Sequence, residues 1–198
     1  MTDHYFSSKP SSKEQRKELY GKLRGHSIKL ITSSGIFSKD RVDDGTRLLI
    51  EKCHINNTKG TILDLGCGYG VIGITIKKTF PETTVICSDI NERAVRLTTE
   101  NAALNNVEIT TIQSNVYEAI QEKLDVVLVN LPRNAGKEVC LKMIDGAYER
   151  LNKKGTLQVV AKHQRGGKTY KQYMEKTFTN CETIARSNGY HVYKSTKN

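Results

Sequence analysis

The chain has 198 residues, 37% of them hydrophobic, and a formal net charge of +10, so it is long enough for one domain with a core that needs no staples. Its first residues are polar and charged with no apolar h-region, and apolar runs such as Val126 to Val129 are far too short to span a bilayer; a cytoplasmic protein is expected, not a secreted or membrane-spanning one. Five scattered cysteines, an odd number without a C-x-x-C pair, argue against a disulfide framework, a zinc knuckle or redox chemistry, and no metal ligands are expected.

In chain order, residues 17–32 alternate weakly around Arg24 and Gly25, which read as the tip of a β-hairpin. This hairpin precedes the main domain as an appendage. The expected division is therefore 1–42 for the hairpin extension and loop, and 43–198 for the main domain. Residues 46–52 carry apolar positions at helical spacing, and Asp44 is placed to cap them. Apolar runs near 61–65, 84–88, 107–112, 124–130 and 156–161 then alternate with helical segments near 71–79, 91–104, 137–150 and 168–178. That alternation is the signature of βαβ units. Asn188 and Gly189 separate runs at 181–186 and 190–194, a hairpin signal that closes the sheet with an antiparallel pair. The expected fold class is α/β: a Rossmann-like, seven-stranded, mostly parallel sheet with a C-terminal antiparallel hairpin, plus the N-terminal hairpin.

The charge is unevenly spread. The stretch from Arg150 to the end carries Arg150, Lys153, Lys154, Lys162, Arg165, Lys168, Lys171, Lys176, Arg186, Lys194 and Lys197, answered there only by Glu175 and Glu182. A one-sided basic surface is the footprint of a polyanion partner, although solubility alone is the plain alternative.

The most informative stretch is TILDLGCGYGVIG, from Thr61 to Gly73: an apolar run ends in Asp64, then Gly66, Gly68 and Gly70 alternate, with Cys67 among them, before a helical pattern begins. Glycines serve such a turn because the backbone angles exclude a Cβ and the ligand must approach the main chain closely. The following helix aims free N–H groups at the ligand. Gly68 to Gly73 also satisfies G-x-G-x-x-G, with Asp89 about twenty residues further on, so a dinucleotide is the rival reading. Three features favour S-adenosylmethionine. Asp64 would repel a pyrophosphate but suits an ammonium and a sulfonium. The turn lies well inside the chain, whereas dinucleotide folds open with it. The third is the tetrapeptide Asn130, Leu131, Pro132, Arg133 after the fourth strand of the domain.

Asp89, followed by Ile90, ends the second strand, where its carboxylate can accept both ribose hydroxyls or cap the next helix. Ser114, Asn115 and Val116 follow the third strand, where a polar side chain would read an adenine edge or simply turn the chain.

These motifs resemble the small-methyltransferase family that includes the bacterial 16S, small-subunit rRNA guanine-N2 methyltransferases and their single-domain relatives. The similarity runs through HYF at His4 to Phe6, GIFSKDRVDDGTRLLIE from Gly35, ILDLGCGYGVIGI from Ile62, NLPRNAGK from Asn130 and GYHVYKS from Gly189. The resemblance implies a class I methyltransferase fold, S-adenosylmethionine as cofactor and RNA as partner. It also implies a catalytic segment in which the Asn130 side chain and the Leu131 carbonyl accept the two N–H bonds of an exocyclic amine, with Pro132 shaping the loop and Asn130 also touching the cofactor. An amine conjugated with a purine is a poor nucleophile; two acceptors draw it toward tetrahedral geometry and aim its lone pair. The sulfonium already activates the methyl group.

By the same resemblance Phe37 packs over cofactor and base, or anchors the core, and Thr46 approaches the methionine end, or caps its helix. Two departures stand out. Leu131 replaces the family's usual proline, and Arg133 replaces an apolar or aromatic residue expected against the base, where a guanidinium can still stack. Lys162 and Arg165, in a basic loop, are candidate phosphate contacts. Two other readings stay open: methylation of a protein glutamine through the same Asn-x-Pro-type motif, and a non-catalytic RNA-binding module that retains the cofactor.

Overall fold

The computed structural model describes residues 13–36, 38, 40–132 and 135–198. His4 to Phe6, Phe37 and Arg133 lie outside the described residues. A two-stranded antiparallel sheet, β1 (Arg16–Leu23) and β2 (His26–Ser33), comes first, turning through Arg24 and Gly25, both at positive φ. The main sheet is built from β3 (Thr61–Leu65), β4 (Thr84–Asp89), β5 (Thr110–Gln113), β6 (Leu124–Asn130), β7 (Leu151–Lys162), β8 (Glu182–Ser187) and β9 (Tyr190–Thr196). Its helices are α1 (Asp44–Lys52), α2 (Val71–Thr79), α3 (Glu92–Leu104), α4 (Lys137–Arg150) and α5 (Lys168–Phe178).

Strand order is β5-β4-β3-β6-β7-β9-β8, parallel through β7 and antiparallel at β9 and β8. The order reverses between β3 and β6, the crevice where open α/β sheets place ligands beyond the strands' carboxyl ends. One apolar cluster, including Ile62, Ile74 and Leu97, covers one face of the sheet; a second, including Val127, Ile144 and Phe178, covers the other. Among the described residues, no helix is long and apolar enough to cross a membrane.

Several boundaries differ from the sequence reading for identifiable reasons. The third strand of the domain starts at Thr110, not near 107, because the helix end is closed by backbone bonds that reach Val107, whose N–H donates to Ala102. The strand read as 156–161 begins at Leu151: a register shift between Leu124 and Val126 accommodates Asn152 to Gly155, with Lys154 at positive φ, and the polar stretch reads as a turn in sequence. The cap of α1 is Asp43, not Asp44, its carboxylate accepting the Gly45 and Thr46 N–H groups at 2.9 and 3.2 Å.

The N-terminal hairpin is also more than an appendage. Asn101 of α3 accepts the Ile31 N–H at 2.6 Å and donates to the Ile31 and Tyr69 carbonyls, each at 2.8 Å. One turn on, Asn105 accepts the Lys29 N–H at 3.3 Å and donates to its carbonyl at 2.6 Å. Two amides at helical spacing thus stand in for a neighbouring strand along β2, and one of them also holds the glycine turn. Asn101 is fully buried, so removing its amide leaves three backbone groups without partners. Asn101→Ala is expected to destabilise the protein by about 2 to 5 kcal/mol, allowing about 1 to 3 kcal/mol per unsatisfied buried group and partial relaxation. Denaturant unfolding measures it; a loss below about 0.5 kcal/mol would show that the hairpin is not held this way.

Candidate active site

The glycine turn joins β3 to α2 with Gly66, Gly68 and Gly70 all at positive φ. At Gly70 the demand is steric as well as conformational, since a Cβ there would stand 2.7 Å from the Thr98 methyl. The turn is fixed from β4: the Ser88 carbonyl accepts the Gly66 and Cys67 N–H groups at 2.8 and 2.9 Å, and Asp89 Oδ2 accepts that of Gly68 at 2.9 Å. Asp89 Oδ1 accepts the Asn91 N–H at 2.9 Å, and the N-cap of α3 is Asn91 itself.

Two cavities open along this edge. The first, of about 750 Å³ including space open to solvent, is lined by Asp89, Ile90, Ser114, Asn115 and Val116, with Leu65, Val139 and Met143 as apolar walls. The second, of about 870 Å³ on the same basis, runs from the turn past Asp43, Thr46 and Tyr69 to Lys162, Arg165, Tyr170 and Tyr190. Gly66, Asn130 and Pro132 line both. Asn130 therefore stands where the two spaces meet.

Its side chain is oriented. Nδ2 donates to Asp43 Oδ2 at 3.0 Å and to Thr46 Oγ1 at 2.8 Å, and the Thr46 hydroxyl donates in turn to Asp43. A carboxylate only accepts, so the amide nitrogen must face Asp43. Asn130 Oδ1 has no hydrogen-bond partner among the described residues. Leu131 is buried, and its N–H donates to the Val160 carbonyl at 3.2 Å, extending the β6–β7 ladder by one residue. The Pro132 carbonyl accepts from the Cys140 thiol at 3.5 Å.

Most of the residues singled out in sequence converge here, with differences in role. Gly66, Cys67, Gly68, Thr46 and Leu131 line one or other cavity directly. Gly70 shapes the turn without lining either. Asp64, expected to face the cofactor's cations, is fully buried against α2, where Oδ2 accepts the Gly73 N–H at 3.0 Å and Oδ1 has no partner. Any effect it has on a ligand is through its field. The Ser114 hydroxyl is occupied in closing its own turn, donating to Val116 and accepting from Ala119, and Asn115 donates to Glu118. Ligand recognition at 114–116 thus falls to backbone and shape. Asp43, Tyr69, Tyr170 and Tyr190 were missed. For Asp43 a signal existed, an aspartate three residues before Thr46, and Tyr69 stands inside the glycine turn itself; Tyr170 and Tyr190 sit in helical and hairpin patterns that look purely structural.

The carboxyl groups behind the turn are strained electrostatically. Burial pushes Asp64 up to about 7, opposed by the Gly73 N–H and reinforced by the charge of Asp89. Burial also raises Asp89, against the N–H groups of Asn91, Gly68 and Ile90. The five cysteines are free, and burial raises the Cys53 thiol to about 11.

A seven-stranded sheet of this order, with a glycine turn, an acidic second strand and an Asn-x-Pro segment at the switch point, defines a class I methyltransferase. The chain belongs to the methyltransferase small domain family, which matches residues 27–194. The methyl donor of that class is S-adenosylmethionine. Relatives include the Bacillus subtilis protein YbxB, described as uncharacterized, 34% identical over the full length of both chains. Ribosomal RNA small subunit methyltransferase C of Actinobacillus pleuropneumoniae is 30% identical across 90% of this chain and 55% of its own length; that of Pseudomonas entomophila is 31% identical across 98% and 58%. Among solved structures, the Thermus thermophilus 16S rRNA N2 G1207 methyltransferase in complex with AdoMet and guanosine superposes with a TM-score of 0.84 at 20% identity, over 96% of this chain and 52% of that one. The chain spans about half the length of the methyltransferase C relatives it matches.

A carboxyl group whose folded pKa stands above its unfolded value stabilises the fold fully below that unfolded value, about 4, and loses the contribution as pH rises through its folded pKa. The ligand-free protein is therefore expected to lose melting temperature between pH 5 and pH 8, with Asp64→Asn flattening that part of the decline. Thermal unfolding across the range checks it. An undiminished slope in the variant rejects Asp64 as the source.

Proposed function

We propose that this protein transfers a methyl group from S-adenosylmethionine to the exocyclic N2 of a guanine in small-subunit rRNA. The observation that carries the reading is Asn130, set where two cavities meet with its amide nitrogen tied back and its oxygen presented. The residues fit the donor. The first cavity has the size and the apolar walls a nucleoside needs, Asp89 keeps acceptor capacity beyond its backbone bonds, and the buried Ser88 hydroxyl at the same wall has no partner among the described residues. S-adenosylmethionine supplies a methyl carbon made electrophilic by its sulfonium.

The protein's own contribution is alignment. Asn130 Oδ1 and the Leu131 carbonyl accept the two N–H bonds of the target amine, so its nitrogen approaches along one line. S-adenosylmethionine would supply the methyl group and leave as S-adenosylhomocysteine; acceptors aimed at the amine stabilise the positive charge that grows on its nitrogen more in the transition state than in the ground state, and its surplus proton is released to solvent. Asp43, behind the amide, polarises it in the useful sense and prevents its flipping. Asp89 and the turn hold the ribose side. The basic lip suits an RNA backbone, with the target base unstacked into the second cavity. A glutamine carboxamide offers the same planar NH₂, but nothing in a peptide calls for the cationic lip.

Methyl transfer from labelled cofactor to hypomodified ribosomal subunits, followed by mapping of modified guanines, tests the reading; no incorporation into any rRNA counts against it. Asn130→Ala is expected to lower kcat by about 10²- to 10³-fold while cofactor affinity stays within a few-fold. Asp43→Asn keeps a helix-capping residue but lets the Asn130 amide flip, so kcat should fall by roughly tenfold or more with a melting temperature near wild type; an unchanged rate refutes the orienting role. Asp89→Ala should weaken S-adenosylhomocysteine binding by about 1 to 3 kcal/mol, read by titration calorimetry.

A further inference from the structure

The wall of the second cavity farthest from the glycine turn is built from C-terminal elements. Tyr190 opens β9, Tyr170 lies in α5, and Lys162 and Arg165 stand at the lip between them. Both tyrosines are partly buried, each packing with one side against a core cluster while also lining the cavity. Each ring is nevertheless positioned by a glycine it packs against. A Cβ at Gly45 would stand 2.7 Å from Tyr190 Cε1, which brings that ring against the first turn of α1, two residues from Asp43. A Cβ at Gly166, where the chain kinks at φ +99°, would stand 3.3 Å from Tyr170 Cε2. The Lys162 ammonium rests 5.0 Å from the Tyr190 ring centroid.

Two held rings and two cations, across a cavity from a presented amide oxygen, form a receptor for a flat heterocycle that carries an anionic group. A base stacked on an aromatic ring gains more than an exposed lysine does over the same ring, so a base displaces Lys162 from Tyr190 and leaves its ammonium for phosphate. We propose that Tyr190 and Tyr170 form the aromatic holder for the unstacked target base, with Lys162 and Arg165 taking the phosphates beside it. The aromatic contact that the family motif carries after its Asn-Pro-Pro, where this sequence has Arg133, is thus supplied from α5 and β9. This inference rests on the RNA methyltransferase reading and names the residues that hold its substrate.

The test uses the full chain saturated with S-adenosylhomocysteine and titrated with GMP, AMP and a short single-stranded RNA. Tyr190→Ala and Tyr170→Ala should each weaken GMP and RNA binding by about tenfold or more, with S-adenosylhomocysteine affinity and melting temperature as folding controls. Tyr190→Phe, which keeps the ring, should recover most of the loss. In turnover assays Tyr190→Ala should raise KM for RNA far more than it lowers kcat. Alanine variants that bind GMP as the wild type does, or a wild type that binds neither nucleotide nor RNA, overturn the proposal. If AMP is held through the tyrosines in preference to GMP, or GMP is held but no RNA is methylated, the holder stands and the guanine-methyltransferase reading fails.

Discussion

The Asp43 carboxylate accepts hydrogen bonds from two backbone amides of α1, from the Thr46 hydroxyl and from the amide at the end of β6, so one side chain joins the N-terminal loop to the edge of the central sheet. Asparagine at a strand end is otherwise free to rotate, and either face of its amide could look into the crevice. A partner that can only accept removes that freedom and presents oxygen where an amine must be held. The constraint works only if the loop carrying Asp43 is itself fixed. That is the purpose served by the Asn101 and Asn105 bonds along β2, by Asn91 Nδ2 donating to the Gly35 carbonyl and by Arg93 donating to the Ser34 carbonyl. Helix α3 thus holds β2 and the chain as far as Gly35, while Asp43 is held by the first turn of α1 and in turn orients the amide on β6.

Charge is sorted along the same axis. Asp64 and Asp89 lie buried behind the glycine turn with their pKa values raised, while Lys162 and Arg165 stand at the mouth of the second cavity. Two carboxylates in a desolvated wall disfavour each other's ionisation, and a ligand bearing positive charge nearby relieves that cost. Binding such a ligand then stabilises the fold as well as filling the site. Lys162 and Arg165 give the second cavity's lining the opposite sign. A dinucleotide, with pyrophosphate set at the turn, would meet the buried carboxylates at their least favourable.

Elements with strong period and clear punctuation were readable from the sequence: β3 ends where the glycines begin, α4 spans the expected residues, and the Asn188–Gly189 turn does join two antiparallel strands. What escaped was long-range in origin. Asn152 to Gly155 reads as a turn because nothing local reveals that β7 carries these extra residues opposite the single Asp125 of β6, and Asp44 is as good a cap as Asp43 until tertiary contacts choose between them. Ser114 looked like a ligand side chain because polar residues after strands often are, yet its hydroxyl has two partners within the next five residues. Glycine turns announce a site in sequence because the backbone itself is the constraint; the tyrosine wall does not, because its meaning depends on what lies across a cavity.

Leu131 illustrates how a departure from a motif can keep its loop fixed by another route. Proline at that position fixes φ and stiffens the loop, but it has no N–H to give. Here the Leu131 N–H donates to Val160, and its side chain is buried among the residues around α4, so the loop is held by one more rung of the sheet and by packing. The carbonyl needed to accept an amine proton is the same in either residue. A backbone bond to β7 also links the catalytic segment to the strand that runs on into Lys162, two residues past Val160 and at the lip of the second cavity. The Leu131 backbone and Lys162 are therefore fixed in one ladder, and their separation is set by strand register instead of by loop conformation.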